Sequence, residues 1–131
     1  MGEPSELIGR ARAVAARAYA PYSRFRVGAA LQTDDGAIFT GCNVESASYG
    51  LSICAERSAI FGAISAGARR PFARLAVTCL DAHDASCSPC GACRQVIAEH
   101  FRDDAIIEID GLGCFTPSDL LPHAFKLASA P

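Results

Sequence analysis

Four residues constrain this chain more than any others: Cys90-Gly91-Ala92-Cys93, entered through Ser88-Pro89. Proline suits the start of a helix and not its interior, and the spacing predicts a helix over 90–101 with both thiols in its first turn. Side chains three apart share a helix face. The helix N-terminus also carries partial positive charge, which favours thiolate over thiol. Two thiolates so placed can bind one metal, but they cannot complete a site. A third soft ligand must arrive from elsewhere, so two distant parts of the chain have to meet.

Cys54 is the best-placed third ligand. The stretch "LSICAERSAI" sets it where a polar loop over 43–52 gives way to an apolar helical run, which should start near Cys54 and stop at Gly67. Other readings stay open on spacing alone. Cys87 competes through Cys87-x-x-Cys90, and Cys90-x-x-Cys93 also has the form of a redox pair, although the element order here does not match a thioredoxin-like fold. Three thiolates leave one tetrahedral position. His83 in that position would close a structural site, whereas water there would make a catalytic one. His100 reads as a helix-end charge and His123 as a packed or surface side chain. In a reducing compartment, Cys42 and Cys79 read as small buried hydrophobes.

Glu56 follows Cys54 by two positions, which within a helix would turn the side chains about 200° apart. They converge only if Cys54 sits at the boundary turn. A carboxylate there could simply complement the helix dipole. Beside a zinc-bound water it is a positioned general base. Arg57 can offset the net negative charge of three thiolates and Zn²⁺ by hydrogen bonding to sulfur.

Along the chain, Leu7, Ala11, Val14, Ala15 and Ala18 mark an amphipathic helix over 5–20, ended by Pro21-Tyr22-Ser23. Strands are expected over 27–33 and 38–43, joined by the hairpin turn Asp34-Asp35-Gly36. A strand over 75–79, a loop over 80–89, a strand over 105–110, an edge strand over 114–116 and a brief helix from Pro117 complete the series. Helix, hairpin, then helix–strand–helix–strand favours a mixed sheet with helices on both faces. Both cysteine-bearing helix starts would then lie at the carboxyl ends of strands.

At 131 residues the chain suits one domain, spanning 1–131. No window reaches the roughly 18 apolar residues of a membrane span, and the first residues lack a signal-peptide pattern, so a cytoplasmic location is expected. The net charge of −2 argues against nucleic-acid or anionic-membrane partners. Arg69, Arg70 and Arg94 read as scattered solvated cations. Hydrophobic residues reach 50 % before glycine is counted, against a usual share of about 45–50 % with glycine included. Alanine explains part of that excess, and surface buried between subunits would explain the rest.

Cys54-Ala55-Glu56 with Pro89-Cys90-x-x-Cys93 resembles the zinc deaminase signature. More narrowly, "PYSRFRVGAAL", "GCNVES", "CAERSAI" and "SPCGACRQV" are similar to the small cytidine deaminases, from Pro21 to about Phe125. The resemblance implies a three-layer α/β/α sandwich around a mixed five-stranded sheet, with one Zn²⁺ per chain on Cys54, Cys90 and Cys93. It implies hydrolysis of cytidine and deoxycytidine to uridine and deoxyuridine with release of ammonia, in pyrimidine salvage. Glu56 would carry a proton to N3 of the base and then to the departing ammonia. By the same resemblance Asn43 and Glu45 bind the sugar, Phe25 stacks on the pyrimidine, and Ala55 offers backbone contacts to the base. It further implies a homotetramer in which neighbours contribute Ala47, Tyr49 and Phe125. Two positions depart from the family pattern: Ser46 stands where asparagine is usual, and Cys87 where an apolar residue is. The nearest competing readings are a deaminase of another cytosine-bearing compound, such as blasticidin S, and a structural zinc module with four protein ligands.

Overall fold

The computed structural model describes residues 5–128. Its elements run α1 (Glu6–Ala15), β1 (Val27–Gln32), β2 (Ile38–Cys42), α2 (Ala55–Ser65), β3 (Phe72–Cys79), α3 (Gly91–His100), β4 (Phe101–Ile109), β5 (Gly113–Phe115) and α4 (Pro117–Leu120). The five strands form one mixed sheet in the order β2-β1-β3-β4-β5. Only the β3–β4 pair is parallel, as expected where a helix crosses between them.

Alternation along the strands divides the core in two. Ala30 and Ala76 face α1, where Leu7, Ile8 and Ala11 cover them. Ala29, Leu31, Leu75, Val77 and Ile107 point to the other face and pack with Ala59, Ile60, Ala63 and Ile97 of α2 and α3. Helices therefore lie on both faces of the sheet, and the expected α/β/α layering is present.

Several boundaries differ from the sequence expectation. Helix α1 ends at Ala15 rather than Ala20. Tyr19 is taken into a bridge with Val44, its N–H donating to Asn43 O (3.0 Å) and its carbonyl accepting from Glu45 N (2.8 Å). Strand β3 begins at Phe72 instead of Leu75, and β4 at Phe101 instead of Ala105. Phe101 leaves α3 straight into the sheet, where its ring meets Phe72 edge-on with centroids 5.5 Å apart. A register shift lies between Phe72 and Arg74. Across it the charged run Arg102-Asp103-Asp104 hides the strand from a periodicity reading.

The topology gathers one end of the sheet. Val27, opening β1, pairs with Cys79, closing β3, and Gly28 pairs with Cys42 at the end of β2. The segments before β1, after β2 and after β3 therefore meet at the carboxyl ends of β2 and β3, beside the starts of α2 and α3.

Candidate metal centre and pocket

Cys54 and Cys90 occupy the same structural position on two helices. Each is the N-terminal cap residue, extended in backbone (φ −74°, ψ 155° for Cys54; φ −67°, ψ 168° for Cys90). Cys93 lies in the first turn of α3. The three sulfur atoms lie within 4.8 Å of one another. The Cys54–Cys90 separation is 3.8 Å, close to the edge of a tetrahedron with metal–sulfur bonds of about 2.3 Å. Both helix N-termini direct partial positive charge at these sulfurs, which favours thiolates. The cap position of Cys54 also meets the condition for Glu56 to converge on it, because the two residues are not both inside the helix.

The surroundings suit a cation bound by thiolates. A guanidinium nitrogen of Arg57 donates to Cys54 Sγ at 3.3 Å. Hydrogen bonding with Cys93, and then with Arg57 and Cys90, holds the Cys54 thiol down at about 5. The buried Nε of Arg57 has no partner, an orphaned donor of the kind that a completed site satisfies with water or ligand. Among the described residues, the donor set is three soft sulfurs with one tetrahedral position left, which fits zinc. His83 does not join it. Its imidazole approaches Asp110 at 3.8 Å, leaving the closed four-ligand alternative without a fourth ligand. Cys87 does not join it either: it is buried, and its thiol donates to Ala82 O at 2.9 Å.

Glu56 is 4 % exposed and lines a pocket of about 410 Å³ with Cys54, Cys90, Ala55, Phe25 and Asn43. Burial pushes its carboxyl up to about 7, with a smaller push from the Cys54 charge, opposed by its own backbone N–H and by Arg57. A carboxyl at that value exchanges protons readily near neutrality. Among the described residues, the pocket lining includes the carboxylates Glu45 and Glu56 and neither lysine nor arginine. A larger hollow of about 540 Å³, between the end of α2, α3 and the C-terminal segment, contains none of these groups; Arg70, His100 and Phe125 line it.

Every residue expected to hold the base or sugar borders the pocket: Phe25, Asn43, Glu45 and Ala55. Asn43 and Glu45 also have a structural task. Asn43 Oδ1 accepts from Val27 N and its Nδ2 donates to Phe25 O, both at 2.8 Å. Glu45 Oε1 accepts from Tyr22 N (3.0 Å) and Ser23 N (3.1 Å), while its other oxygen takes the Ser23 hydroxyl. Each side chain retains hydrogen-bonding capacity beyond these bonds. Ser46, the departure noted in the sequence, accepts from Ser48 N (3.1 Å), and Ser46 N donates to the Ser52 hydroxyl (3.0 Å). Ala47 is exposed, and Tyr49, 75 % exposed, lines a hollow that shares Ser23, Glu45 and Ser52 with the pocket; Phe125, 68 % exposed, is held by Gln95 of α3.

Sequence reasoning missed three groups of residues here. Ser23, Ser52 and Ser88 line the pocket from irregular segments and Ser86 from a single 3-10 turn over Ala85–Cys87, none of which carries a periodic signal. Cys87 lines it too, so the unexplained cysteine belongs to the pocket wall. Arg94, expected in solvent, donates to Pro89 O (2.8 Å), Leu120 O (2.8 Å) and the Ser88 hydroxyl (2.7 Å), pinning the loop that delivers Cys90. Its position four residues past Cys90, on the face shared with the loop, was the available clue.

Comparison with known proteins agrees with this geometry. A relative from Mycobacterium tuberculosis, a cytidine deaminase, is 46 % identical over 125 residues, covering 95 % of this chain and 91 % of the relative. The crystal structure of a cytidine deaminase from Burkholderia pseudomallei superposes with a TM-score of 0.81 at 48 % identity, covering 92 % of this chain and 97 % of that one. More distantly, a blasticidin-S deaminase from Bacillus cereus is 34 % identical, covering 76 % of each chain. Residues 1–108 match the profile described as the cytidine and deoxycytidylate deaminase zinc-binding region. With that match spanning most of its length, the chain belongs to the zinc-binding cytidine and deoxycytidylate deaminase family.

Proposed function

We propose that the whole chain acts as one catalytic domain that hydrolyses cytidine and deoxycytidine to uridine and deoxyuridine, releasing ammonia. The observation that carries this reading is the placement of a buried, proton-exchanging carboxyl, Glu56, in the same pocket as three thiols spaced for zinc. Cys54, Cys90 and Cys93 would hold the zinc, which would supply a Lewis acid that makes water nucleophilic near neutral pH. Glu56 would hold at one carboxylate oxygen the proton given up by the attacking water and deliver it to N3 of the pyrimidine. It would then carry the proton of the hydroxyl added at C4 to the departing amine, so that ammonia leaves and a carbonyl forms. Phe25 stacks on the ring, Ala55 presents backbone groups to its polar edge, and Asn43 and Glu45 offer their remaining hydrogen-bonding capacity to the sugar hydroxyls. Arg57 steadies the thiolate charge.

The pocket wall supports a nucleoside rather than a nucleotide or a polynucleotide, because among the described residues it carries two carboxylates and no basic side chain for a phosphate. The exposed Tyr49, Leu51, Phe125 and Leu127, together with the sequence resemblance to the small cytidine deaminases, support a tetramer in which Ala47, Tyr49 and Phe125 complete a neighbour's pocket. The reading also takes the enzyme to be cytoplasmic; among the described residues, no helix is long and apolar enough to cross a membrane.

Ammonia release from cytidine, deoxycytidine, deoxycytidylate, free cytosine and blasticidin S, with zinc measured in parallel, tests the proposal. Turnover of the first two with about one zinc per chain is expected. Preference for blasticidin S or deoxycytidylate would overturn the substrate, and zinc retained in full by Cys93→Ala would overturn the ligand set.

A further inference from the structure

The segment "PYSRFR" (21–26) has no regular secondary structure, yet it carries Phe25, the one aromatic ring on the pocket wall among the described residues. An irregular segment holds a fixed shape only if its backbone groups find partners elsewhere. Here they do. Glu45 takes the N–H groups of Tyr22 and Ser23, the Ser23 hydroxyl accepts from Phe25 N (3.1 Å), and Asn43 brackets Phe25 O and Val27 N. Arg24, between the clamps, sits in the left-handed region at φ 57°, a conformation costly for a residue with a β-carbon. Such a residue persists only where its surroundings over-determine it.

Glu45 and Asn43 both reach the segment from the loop after β2. Arg26 is held from the opposite side. Its N–H donates to Asp81 Oδ2 at 2.8 Å, and its guanidinium forks onto the same carboxylate, at 3.3 Å from Nε to Oδ2 and 2.9 Å from a terminal nitrogen to Oδ1. Leu80 N donates to Arg26 O at 3.0 Å. Asp81 is the second residue of the loop after β3 that presents Ser86, Cys87, Ser88 and Cys90 to the pocket. The Phe25 side of the pocket and the loop side are thus joined by the backbone bond between Leu80 and Arg26 and, beyond the β1–β3 ladder, by the Asp81 carboxylate, which is the side-chain link between them.

We propose that Asp81 is a positioning residue for the reaction: by clamping Arg26 it sets the distance between the Phe25 ring and the loop carrying Cys87 and Cys90, and so the width of the slot that receives the pyrimidine. An exposed ion pair contributes little to stability on its own, so the pair's consequence is geometric rather than a matter of holding the fold. A ring that stacks on the base in ground and transition states alike changes KM when displaced and leaves kcat nearly untouched. The inference rests on the nucleoside deaminase reading above.

The test compares wild type with Asp81→Ala, Asp81→Asn and Arg26→Ala, measuring KM and kcat for cytidine, uridine affinity by calorimetry, zinc content and melting temperature. Asp81→Ala is expected to raise both KM for cytidine and Kd for uridine about five- to tenfold, the scale of one ordinary net hydrogen bond, because the exposed ion pair is screened by water and acts on the base only through Phe25. Its kcat should change less than about twofold, with zinc and melting temperature held. Asp81→Asn keeps an oxygen for the Arg26 N–H and should recover most of the loss. Arg26→Ala keeps the N–H and should lie between. Wild-type KM and uridine affinity in Asp81→Ala would overturn the proposal. So would a KM change matched by lost zinc or a lowered melting temperature, which would mark a structural role only. A wild type inactive on cytidine would sink the functional reading itself, a failure visible before any variant is made.

Discussion

In the proposed reaction Glu56 accepts and releases protons while almost wholly buried, and burial supplies the needed shift by penalising its charged form. Glu56→Gln retains size and hydrogen bonding but cannot take the proton. It should bind zinc and melt like wild type while losing about 10²–10⁴-fold in turnover; near-normal turnover with zinc bound would remove its assigned role. Asp110 offers a second residue-scale prediction. Its carboxylate, at the end of β4, accepts from Arg12 of α1 (2.9 and 3.0 Å) and from Thr78 of β3 (2.7 Å), with His83 of the following loop 3.8 Å away. Burial raises its pKa, but the bonds from Thr78 and Arg12 and the charges of Arg12 and His83 outweigh this and lower it from 3.8. A depressed folded value means stability present above 3.8 and lost as pH falls through the folded value. Wild type should therefore exceed Asp110→Asn in chemical-denaturation stability at neutral pH, and the gap should close below about pH 4. A gap that widens on acidification would contradict the sign. Glu56, Cys54 and Arg57 were legible in the sequence because one helix entrance holds all three. Asp110 was not, since its partners lie 98 and 32 positions away, and no local pattern announces them.

At the scale of elements, the site depends on how closely α2 lies on the sheet. A β-carbon on Gly41 of β2 would fall 2.4 Å from the Ala59 backbone nitrogen. On the opposite face, one on Gly28 of β1 would fall 2.1 Å from the Ala11 carbonyl oxygen. Backbone cannot step aside as a flexible side chain can, so Gly→Ala at either position must push a helix off the sheet, at about 1–3 kcal/mol or more. The two variants should differ in function. Gly41→Ala moves the helix that begins at Cys54 and should weaken zinc retention; Gly28→Ala moves α1, which carries no ligand, and should leave zinc unchanged at temperatures where the protein stays folded. Equal zinc loss in both would mean that the centre responds to general destabilisation. The helices and the hairpin were readable because apolar spacing and turn residues report local structure. The early starts of β3 and β4 were not, because Phe72 and Phe101 join the sheet by packing on each other, a contact 29 residues apart in sequence. Tyr19 likewise left its expected helix for a long-range bridge.

For the whole molecule, what remains open is the surface. Tyr49, Leu51, Phe125 and Leu127 are 75, 77, 68 and 64 % exposed, a group of large apolar side chains that a small domain gains by covering. Phe125 borders a hollow behind α3 and not the pocket of its own chain, so a part for it in substrate binding requires a second subunit. The sequence held this only through family resemblance, because exposure depends on the finished fold and no residue pattern separates a core phenylalanine from an interfacial one. Mixing two damaged chains gives a direct measurement. Phe125→Ala should lose activity with its zinc intact, because the neighbour's pocket stays open, and Glu56→Gln should be inactive for its own reason. When the two are co-expressed in equal amounts, subunits with an intact Glu56 acquire the missing ring from Glu56→Gln partners. If assembly is random and each pocket draws on one neighbour, half the pockets have Glu56, and half of those receive Phe125. Activity should then rise to roughly a quarter of wild type, and separate purification followed by mixing should restore it only as fast as subunits exchange. Activity no greater than the sum of the two parents would show that each pocket is complete within one chain, and would withdraw Tyr49 and Phe125 from the site.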